Sequence, residues 1–201
     1  NTLSDGIETA VLTGLTIGTT YYVNVYDWWD NSFGYNSGGD FTICVTTPGP
    51  PPNDNCSGAI SLIPSAPGVA CSPTAGTTVG GTDSGVGCDD GNEDDDVWYS
   101  FIATATSHVV TVDAGPGFRT VIGVSNNSSC SSTFTTVPGG SCVTVSQANK
   151  DTSLILTSLS VGATYYIKLH DRSAGGATFT ICVTTPDNIC PDGPPLNDEP
   201  C

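Results

Sequence analysis

Short runs of alternating apolar and polar residues, separated by clusters of glycine, proline, asparagine and serine, cover most of the chain. In Val97–Ile102 the side chains of Val97, Tyr99 and Phe101 fall on one face, as in a strand that is buried on one side. No segment keeps the period of an amphipathic helix. The other predicted strands are Val109–Val112, Val121–Val124, Phe134–Val137, Val143–Val145, Ser153–Leu156, Thr164–Leu169 and Phe179–Thr184.

Short strands at regular spacing, with turn signals between them, predict an all-β protein. Parallel pairing needs crossover connections, which are usually helices, and the pattern contains none. The strands are therefore expected to be antiparallel and to form a β-sandwich.

Two stretches of the chain repeat each other. Leu12–Asp27 (LTGLTIGTTYYVNVYD) matches Leu156–Asp171 (LTSLSVGATYYIKLHD) at an offset of 144, with 8 of 16 positions identical. Phe41–Pro48 and Phe179–Pro186 are both FTICVTTP, at an offset of 138. The first copy therefore carries six extra residues, and these lie in Trp28–Ser37.

The linkers repeat as well, since PPPNDNC at Pro50–Cys56 is similar to PPLNDEPC at Pro194–Cys201. We therefore expect a tandem repeat of about 140 residues, which is the size of a domain and too long for a solenoid unit. Proline-rich joints of this kind act as semi-rigid spacers. The predicted divisions are 1–48, the C-terminal part of one repeat; 49–55, a linker; 56–186, a complete repeat; and 187–201, the linker that opens the next repeat.

The composition excludes several partners. The 201 residues include 4 Lys and Arg against 20 Asp and Glu, which gives a net charge of −16. Because phosphates and anionic lipids are bound by basic residues, this balance argues against nucleic acid and against an anionic membrane surface. No apolar stretch is long enough to be inserted in a membrane.

Nine cysteines indicate disulfides in an oxidising compartment. None of them forms a close C-x-x-C pair, which would be typical of a metal or redox site. The expected location is therefore extracellular. The odd number predicts that one cysteine has its partner outside these residues.

The strand sequences resemble a known bacterial family. DDDVWYSF at Asp94–Phe101, VVTVDAG at Val109–Gly115 and SLILTSLSVGATYYIKLHD at Ser153–Asp171, followed by FTICVTTP, resemble the bacterial pre-peptidase C-terminal domain. The likeness is to a cysteine-bearing variant found in large repetitive surface proteins of Bacteroidetes-type bacteria. It covers residues 52–186 in full and 1–48 in part. The resemblance implies a secreted, non-catalytic, jelly-roll-like β-sandwich.

The resemblance also implies a disulfide pattern, because the first and last strands of such sandwiches tend to be neighbours. Cys44 is then left for a partner in the front half of its own repeat. A Cys44–Cys56 bond is the rival pairing, and the sequence alone does not decide connectivity. The pairs expected from the resemblance are Cys56–Cys182, Cys71–Cys88, Cys130–Cys142 and Cys190–Cys201.

The run from Asp89 to Asp96 holds six carboxylates in eight residues. Such carboxylates repel one another unless a cation neutralises them, and Ca²⁺ prefers about six to eight oxygen ligands. A solvated acidic loop is the alternative. Domains that look like distant relatives of the resembled family bind calcium between this loop and the preceding linker, which adds two linker residues. The predicted calcium ligands are Asn53, Asp54, Asp89, Asp90, Asp94 and Asp96.

A polar loop of the first copy carries Trp28, Trp29, Phe33 and Tyr35, where the second copy has only Arg-Ser-Ala-Gly. Aromatic side chains clustered in a polar loop are typical of an interface. We interpret this loop as a surface for self-association. Sugar binding and a local hydrophobic plug are the alternatives.

Neither histidine indicates catalysis. His170 is replaced by Tyr26 in the first copy, and His108 lies at the end of a loop. The chain also has no motif of a nucleophilic hydrolase, a zinc protease or a phosphate-binding loop. The protein is therefore not expected to be an enzyme.

These observations predict a structural repeat of an extracellular bacterial surface filament, or of a giant repetitive surface protein. Its beads would be stabilised by disulfides and calcium, and its partners would be neighbouring copies of itself. The alternative is an adhesin, or a carbohydrate- or protein-binding accessory module of a secreted protein. In that case the loop around Trp28 and Trp29 would bind a glycan or another surface ligand.

Overall fold

The computed structural model describes residues 10, 12, 15–16, 18–25, 40–47, 49–88, 95–126, 134–173 and 175–187. The chain divides into two compact units, Asn1–Thr47 and Pro48–Cys201. In the described part of the second unit a 3-10 turn at Cys56–Gly58 precedes the strands. The strands are β1 (Ile60–Leu62), β2 (Thr74–Thr77), β3 (Val97–Ile102), β4 (His108–Ala114), β5 (Thr120–Ser125), β6 (Val143–Thr144), β7 (Thr152–Leu156), β8 (Thr164–Asp171) and β9 (Thr178–Thr184).

The strands form two sheets. One sheet has the order β1-β3-β8-β5-β6, and the other has the order β2-β9-β4-β7. Apolar side chains from both sheets belong to one buried cluster. This arrangement confirms the predicted all-β sandwich with mostly antiparallel sheets.

The order of β2 to β9 is that of a jelly roll. The pairs β2·β9, β3·β8, β4·β7 and β5·β6 are all antiparallel, so the chain runs as one long four-step hairpin. This hairpin is rolled up so that β9 also pairs with β4 and β8 with β5. Two four-stranded sheets result, as in double-sheet jelly rolls. The expected jelly-roll topology is therefore confirmed.

One strand pair departs from the prediction, because β1 runs parallel to β3. The two strands are connected by a stretch that crosses to the opposite sheet, forms β2 there and returns. The crossover between these parallel strands therefore contains a strand of the facing sheet, whereas most parallel crossovers contain a helix. The expectation of purely antiparallel pairing was wrong at this edge strand.

Strand β3 shows how the core is built. Val97, Tyr99 and Phe101 are all fully buried, as the alternating pattern predicts. Trp98, on the opposite face, is buried too. All six residues of β5 are also buried. The five-stranded sheet is therefore covered on both faces, by the facing sheet on one side and by loops on the other.

Phe134–Val137 is not a strand. Only Thr136 makes an isolated bridge, to Ser125 at the end of β5. The ring of Phe134 instead packs edge-on against Trp98, with ring centroids 6.1 Å apart. Its β-branched and aromatic residues predict a strand, but in the fold the ring of Phe134 covers the five-stranded sheet.

The disulfides differ from the expected pairs. Cys71 bonds Cys182, and Cys88 bonds Cys142. The pairs Cys56–Cys182, Cys71–Cys88 and Cys130–Cys142 are therefore wrong. Cys44 is free and exposed, so the rival Cys44–Cys56 bond is not formed either. Cys56 is disulfide-bonded, whereas Cys130, Cys190 and Cys201 lie outside the described residues.

The reason for the difference is topological. The strand that lies beside the last strand β9 is β2, and Cys71 is in the segment that enters β2. The predicted pairing requires the first cysteine of the repeat to lie next to the last strand. β1 instead joins the other sheet, which removes Cys56 from the neighbourhood of Cys182.

The same type of turn occurs in both units. In the second unit the amide N–H of Ser160 donates to the Tyr165 hydroxyl over 2.8 Å, and Ala163 N–H donates to Ser160 O over 3.1 Å. In the first unit Thr16 N–H donates to the Tyr21 hydroxyl over 2.9 Å. Thr19 N–H donates to Thr16 O over 3.1 Å.

The glycine inside this turn is also the same in both copies. Gly18 and Gly162 adopt φ values of 82° and 84°, which glycine tolerates because it has no Cβ. The repeat seen in the sequence is thus a repeat of local structure as well.

Removal of the Cys71–Cys182 bond tests the corrected pairing. The bond closes a loop with a sequence separation of 111 residues, so the double Cys71→Ala, Cys182→Ala variant should lose roughly 2–4 kcal/mol of unfolding free energy. Urea unfolding, followed by circular dichroism, gives this value. Non-reducing peptide mapping of the wild-type protein should find Cys71 joined to Cys182, and a peptide joining Cys71 to Cys88 would contradict the pairing.

Candidate functional site

The loops that cover the outer face of the five-stranded sheet build a second, mixed core, which we call the outer-face cluster. Trp98 in β3, Lys168 in β8 and Gly123 in β5 are direct cross-strand neighbours on this face. The Cys88–Cys142 disulfide lies over them, because a Cβ added to Gly123 would clash with Cys88 Sγ. The members of the cluster are Trp98, Gly123, Lys168, Phe134, Cys88 and Cys142.

A buried ion pair lies beside this cluster. Lys168 Nζ is 3.2 Å from Asp96 Oδ2, and both side chains are fully buried. Lys168 Nζ also donates to Gly87 O over 2.8 Å. Asp96 Oδ2 accepts from the Ser84 amide and hydroxyl, at 2.9 and 2.6 Å. Several donors therefore compensate the desolvation of the carboxylate.

The neighbouring carboxylate ties three parts of the sandwich together. Asp95 Oδ2 accepts from Thr78 Oγ1 over 2.8 Å, and Asp95 Oδ1 accepts from Asp171 N–H over 3.2 Å. Thr78 Oγ1 in turn accepts from Ala177 N–H over 3.0 Å. The start of β3 is thereby fixed to the end of β2, the end of β8 and the start of β9.

The residues predicted as a linker are also bound to the second unit. Asn53 exchanges main-chain and side-chain hydrogen bonds with Trp98, since Trp98 N–H donates to Asn53 O and Asn53 Nδ2 donates to Trp98 O. Asp54 accepts from the Thr82 amide and hydroxyl, at 2.6 and 2.8 Å. Residues 53 and 54 are both buried and act as part of the sandwich.

The predicted calcium ligands lie in two places. Asn53, Asp54 and Asp96 are brought to the same region, where β3 begins, because the linker and the acidic run both lie against Thr82–Ser84. Asp89, Asp90 and Asp94 fall outside the described residues. Within the described ranges, no group of three or more metal-binding side chains occurs.

Two of the predicted ligands already have partners within the protein. Asp96 pairs with the ammonium group of Lys168, and Asp54 accepts two hydrogen bonds from Thr82. Asp96 Oδ1 is buried and has no hydrogen-bond partner among the described residues. Calcium binding by the full set of six residues stays a prediction.

Lys168 is the residue that the sequence reasoning missed. It sits in the strand sequence TYYIKLHD, where the residues on both sides are apolar. A lysine in the middle of an apolar strand is rarely buried unless it is paired. The acidic run was the available signal for its partner, but nothing in the sequence connects two segments 72 residues apart (168 − 96).

Neither histidine forms a catalytic arrangement with the described residues. His108 Nε2 accepts from the amides of Thr104 and Ala105, at 3.0 and 3.2 Å, so the proton is on Nδ1, 3.2 Å from Thr184 O. Burial lowers the pKa of His108. His170 contacts the carbonyl oxygens of Cys88 and Asp171. Both rings complete the hydrogen bonds of buried main chain.

The aromatic loop stays a prediction, because Trp28, Trp29, Phe33 and Tyr35 lie outside the described residues.

No protein family and no curated protein matches the sequence. Among solved structures, the chain is similar to PliG of Aeromonas hydrophila, a periplasmic inhibitor of g-type lysozyme. The identity is 15%, the match covers 61% of this chain and 95% of that chain, and the TM-score is 0.29.

The disulfides restrict the location of the chain. Because stable disulfides form and persist in oxidising compartments, the chain is an extracellular or periplasmic protein. In the described part of the chain, no helix is long and apolar enough to span a membrane.

Replacement of Lys168 tests the buried ion pair. Lys168→Met leaves the Asp96 carboxylate buried without its ammonium partner, so the unfolding free energy should fall by about 3–5 kcal/mol. Lys150 is exposed, and Lys150→Met is the matched control, which should change stability by less than about 0.5 kcal/mol. Urea unfolding of both variants gives the comparison.

A double variant distinguishes the charge from the packing of the lysine stem. Lys168→Met combined with Asp96→Asn removes the uncompensated charge and should recover part of the loss. Equal stability of the single and double variants would show that the ion pair does not account for the effect.

The pH dependence tests the protonation state of His108. Because the folded protein holds His108 neutral and lowers its pKa below 6.5, the unfolded chain binds more protons, and stability should decrease as the pH falls through about 6.5. The slope due to this residue is at most about 1.4 kcal/mol per pH unit. His108→Gln should have a shallower slope between about pH 5 and 6.5. Identical slopes would exclude His108 as the cause.

Proposed function

We propose that this chain is a non-catalytic structural repeat of an extracellular bacterial surface filament or of a giant repetitive surface protein. The observation that carries the proposal is the internal repeat. The turn around Tyr21 and the turn around Tyr165 have the same hydrogen bonds, and FTICVTTP occurs identically in both copies. A chain that repeats a whole jelly roll builds length, as a fibre or surface array requires.

The chemistry of the second unit supports a structural role. Its buried polar groups bind each other: Asp96 pairs with Lys168, Asp95 holds Thr78, and Asp54 holds Thr82. The Cys71–Cys182 and Cys88–Cys142 disulfides join segments that lie far apart in the sequence. These groups join neighbouring segments of the sandwich, as is expected of a bead that must withstand an extracellular environment.

The joint between repeats follows from the same contacts. Asn53 and Asp54 fix the linker sequence PPPNDNC to the start of β3 and to Thr82. PPLNDEPC at Pro194–Cys201 carries Asn197 and Asp198 at the matching places. We therefore expect the next bead to hold its own linker by the same contacts, which gives a stiff joint. Calcium at the acidic run would stiffen it further.

The test is imaging of the native material with an antibody raised against residues 49–186. We expect labelled extended assemblies outside the cell, with the labels at regular intervals along them. The same material on a reducing, denaturing gel separates two forms of the proposal. A band several times larger than 20.5 kDa indicates one long repetitive chain, and a band at 20.5 kDa indicates a filament of separate chains. Soluble, unassembled protein bound to a secreted enzyme or to a glycan would contradict both.

A further inference from the structure

Apolar residues of the first unit are exposed where their counterparts in the second unit line the sandwich interior. At the repeat offsets of 144 and 138, eight apolar residues of the first unit correspond to core residues of the second. The first-unit residues are 49–87% exposed, whereas their counterparts are 0–4% exposed. The exposed set is Leu12, Leu15, Tyr21, Val23, Val25, Phe41, Ile43 and Val45.

The second unit shows what covers these positions. β8 pairs with β3 and β5, and β9 pairs with β2 and β4, so both strands are enclosed by the first part of the repeat. At an offset of 144, Asn1 corresponds to Val145, which follows β6. Residues 1–47 thus match β7, β8 and β9, and the covering part of their repeat is β1 to β6.

The cysteines indicate the same partner independently. Cys44 corresponds to Cys182, which bonds Cys71 in the segment that enters β2. Cys44 itself is free and exposed. The counterpart of Cys71 belongs to the same β1 to β6 segment that would cover the exposed set.

A second folded copy of this unit does not fit this role. Its β2, β3, β4 and β5 are already paired with its own β8 and β9, and its β9 carries the same FTICVTTP sequence. The occupant must therefore be a β1 to β6 segment that lacks its own closing strands.

Resting on the repeat-protein function above, we propose that these eight exposed apolar residues bind a β1–β6 segment with the sequence pattern of residues 49–144, and that Cys44 forms a disulfide with the cysteine at the place of Cys71. The product is a second jelly roll, closed by the first unit.

One position distinguishes this jelly roll from that of the second unit. Asn24 stands where Lys168 pairs with Asp96. A segment that carries aspartate at the place of Asp96 would be left with a buried carboxylate and no ammonium partner. The closing interaction should therefore be strengthened by Asn24→Lys, or by Asp96→Asn in the bound segment.

The experiment joins residues 49–144 directly ahead of Asn1 of the full chain, which places the added segment in register with the repeat. We expect Cys44 to be unreactive to iodoacetamide and, in a non-reducing peptide map, joined to Cys71 of the added segment. Amide hydrogen exchange of residues 20–25 and 41–47 should slow by at least about 100-fold relative to the unextended chain. The second unit, in the same molecule, is the folded reference.

Asn24→Lys is made in parallel, so that an unpaired carboxylate does not by itself prevent closure. Closure in either form supports the proposal. If neither form protects Cys44 and the amides while the second unit remains protected, or if Cys44 bonds a different cysteine, the proposal is wrong. Imaging tests the filament separately, since the first unit can close in a protein that forms no assembly and can stay open in one that does.

Discussion

The pairing of β8 and β9 with strands from the first half of the repeat is the interaction on which the structure depends. β8 lies between β3 and β5, and β9 lies between β2 and β4, so the end of the chain completes both sheets. Every strand that these two contact is far away in sequence. Loop-closure entropy has to be overcome before such contacts stabilise the fold. The sandwich therefore depends on closure by its last strands, and the disulfide from Cys71 to Cys182 is placed at this junction.

The same constraint explains the chemistry of the outer-face cluster. The β2–β3 and β5–β6 connections are folded back over the five-stranded sheet, where Cys88 bonds Cys142 and Phe134 packs against Trp98. Covering that face buries Lys168, whose ammonium then requires a carboxylate in a medium of low dielectric constant. Asp96 supplies it from the acidic run. A run of negative charge that is typical of a cation site in the sequence therefore contributes an internal counter-ion in the fold.

Matching residues differ in exposure between the two units. In the second unit the strands of both sheets bury their core, so Ile167, Leu169 and Ile181 are fully buried. Their counterparts Val23, Val25 and Ile43 are exposed in the first unit. The same local pattern is therefore buried in the unit where strands from elsewhere in the repeat pair beside it.

Local sequence patterns were sufficient to predict the class of the fold and the strands with the strongest signals. Alternation located β3, and short β-branched or aromatic runs between turn signals located most of β4, β5, β7, β8 and β9. β1 and β2 were not predicted. They contain three and four residues, and β2 is the polar sequence TAGT, which has no apolar alternation to detect.

Only the tertiary structure decided which distant residues meet. Disulfide partners, the Asp96–Lys168 pair and the parallel β1·β3 edge all depend on which sheet a strand enters, and a local pattern holds no information about that choice. The predicted calcium ligands show the same dependence on tertiary structure. Folding brings Asn53, Asp54 and Asp96 to one region. The periodicity of a strand determines which of its side chains lie on the same face. The strand or loop that packs against that face is determined by the topology of the complete fold.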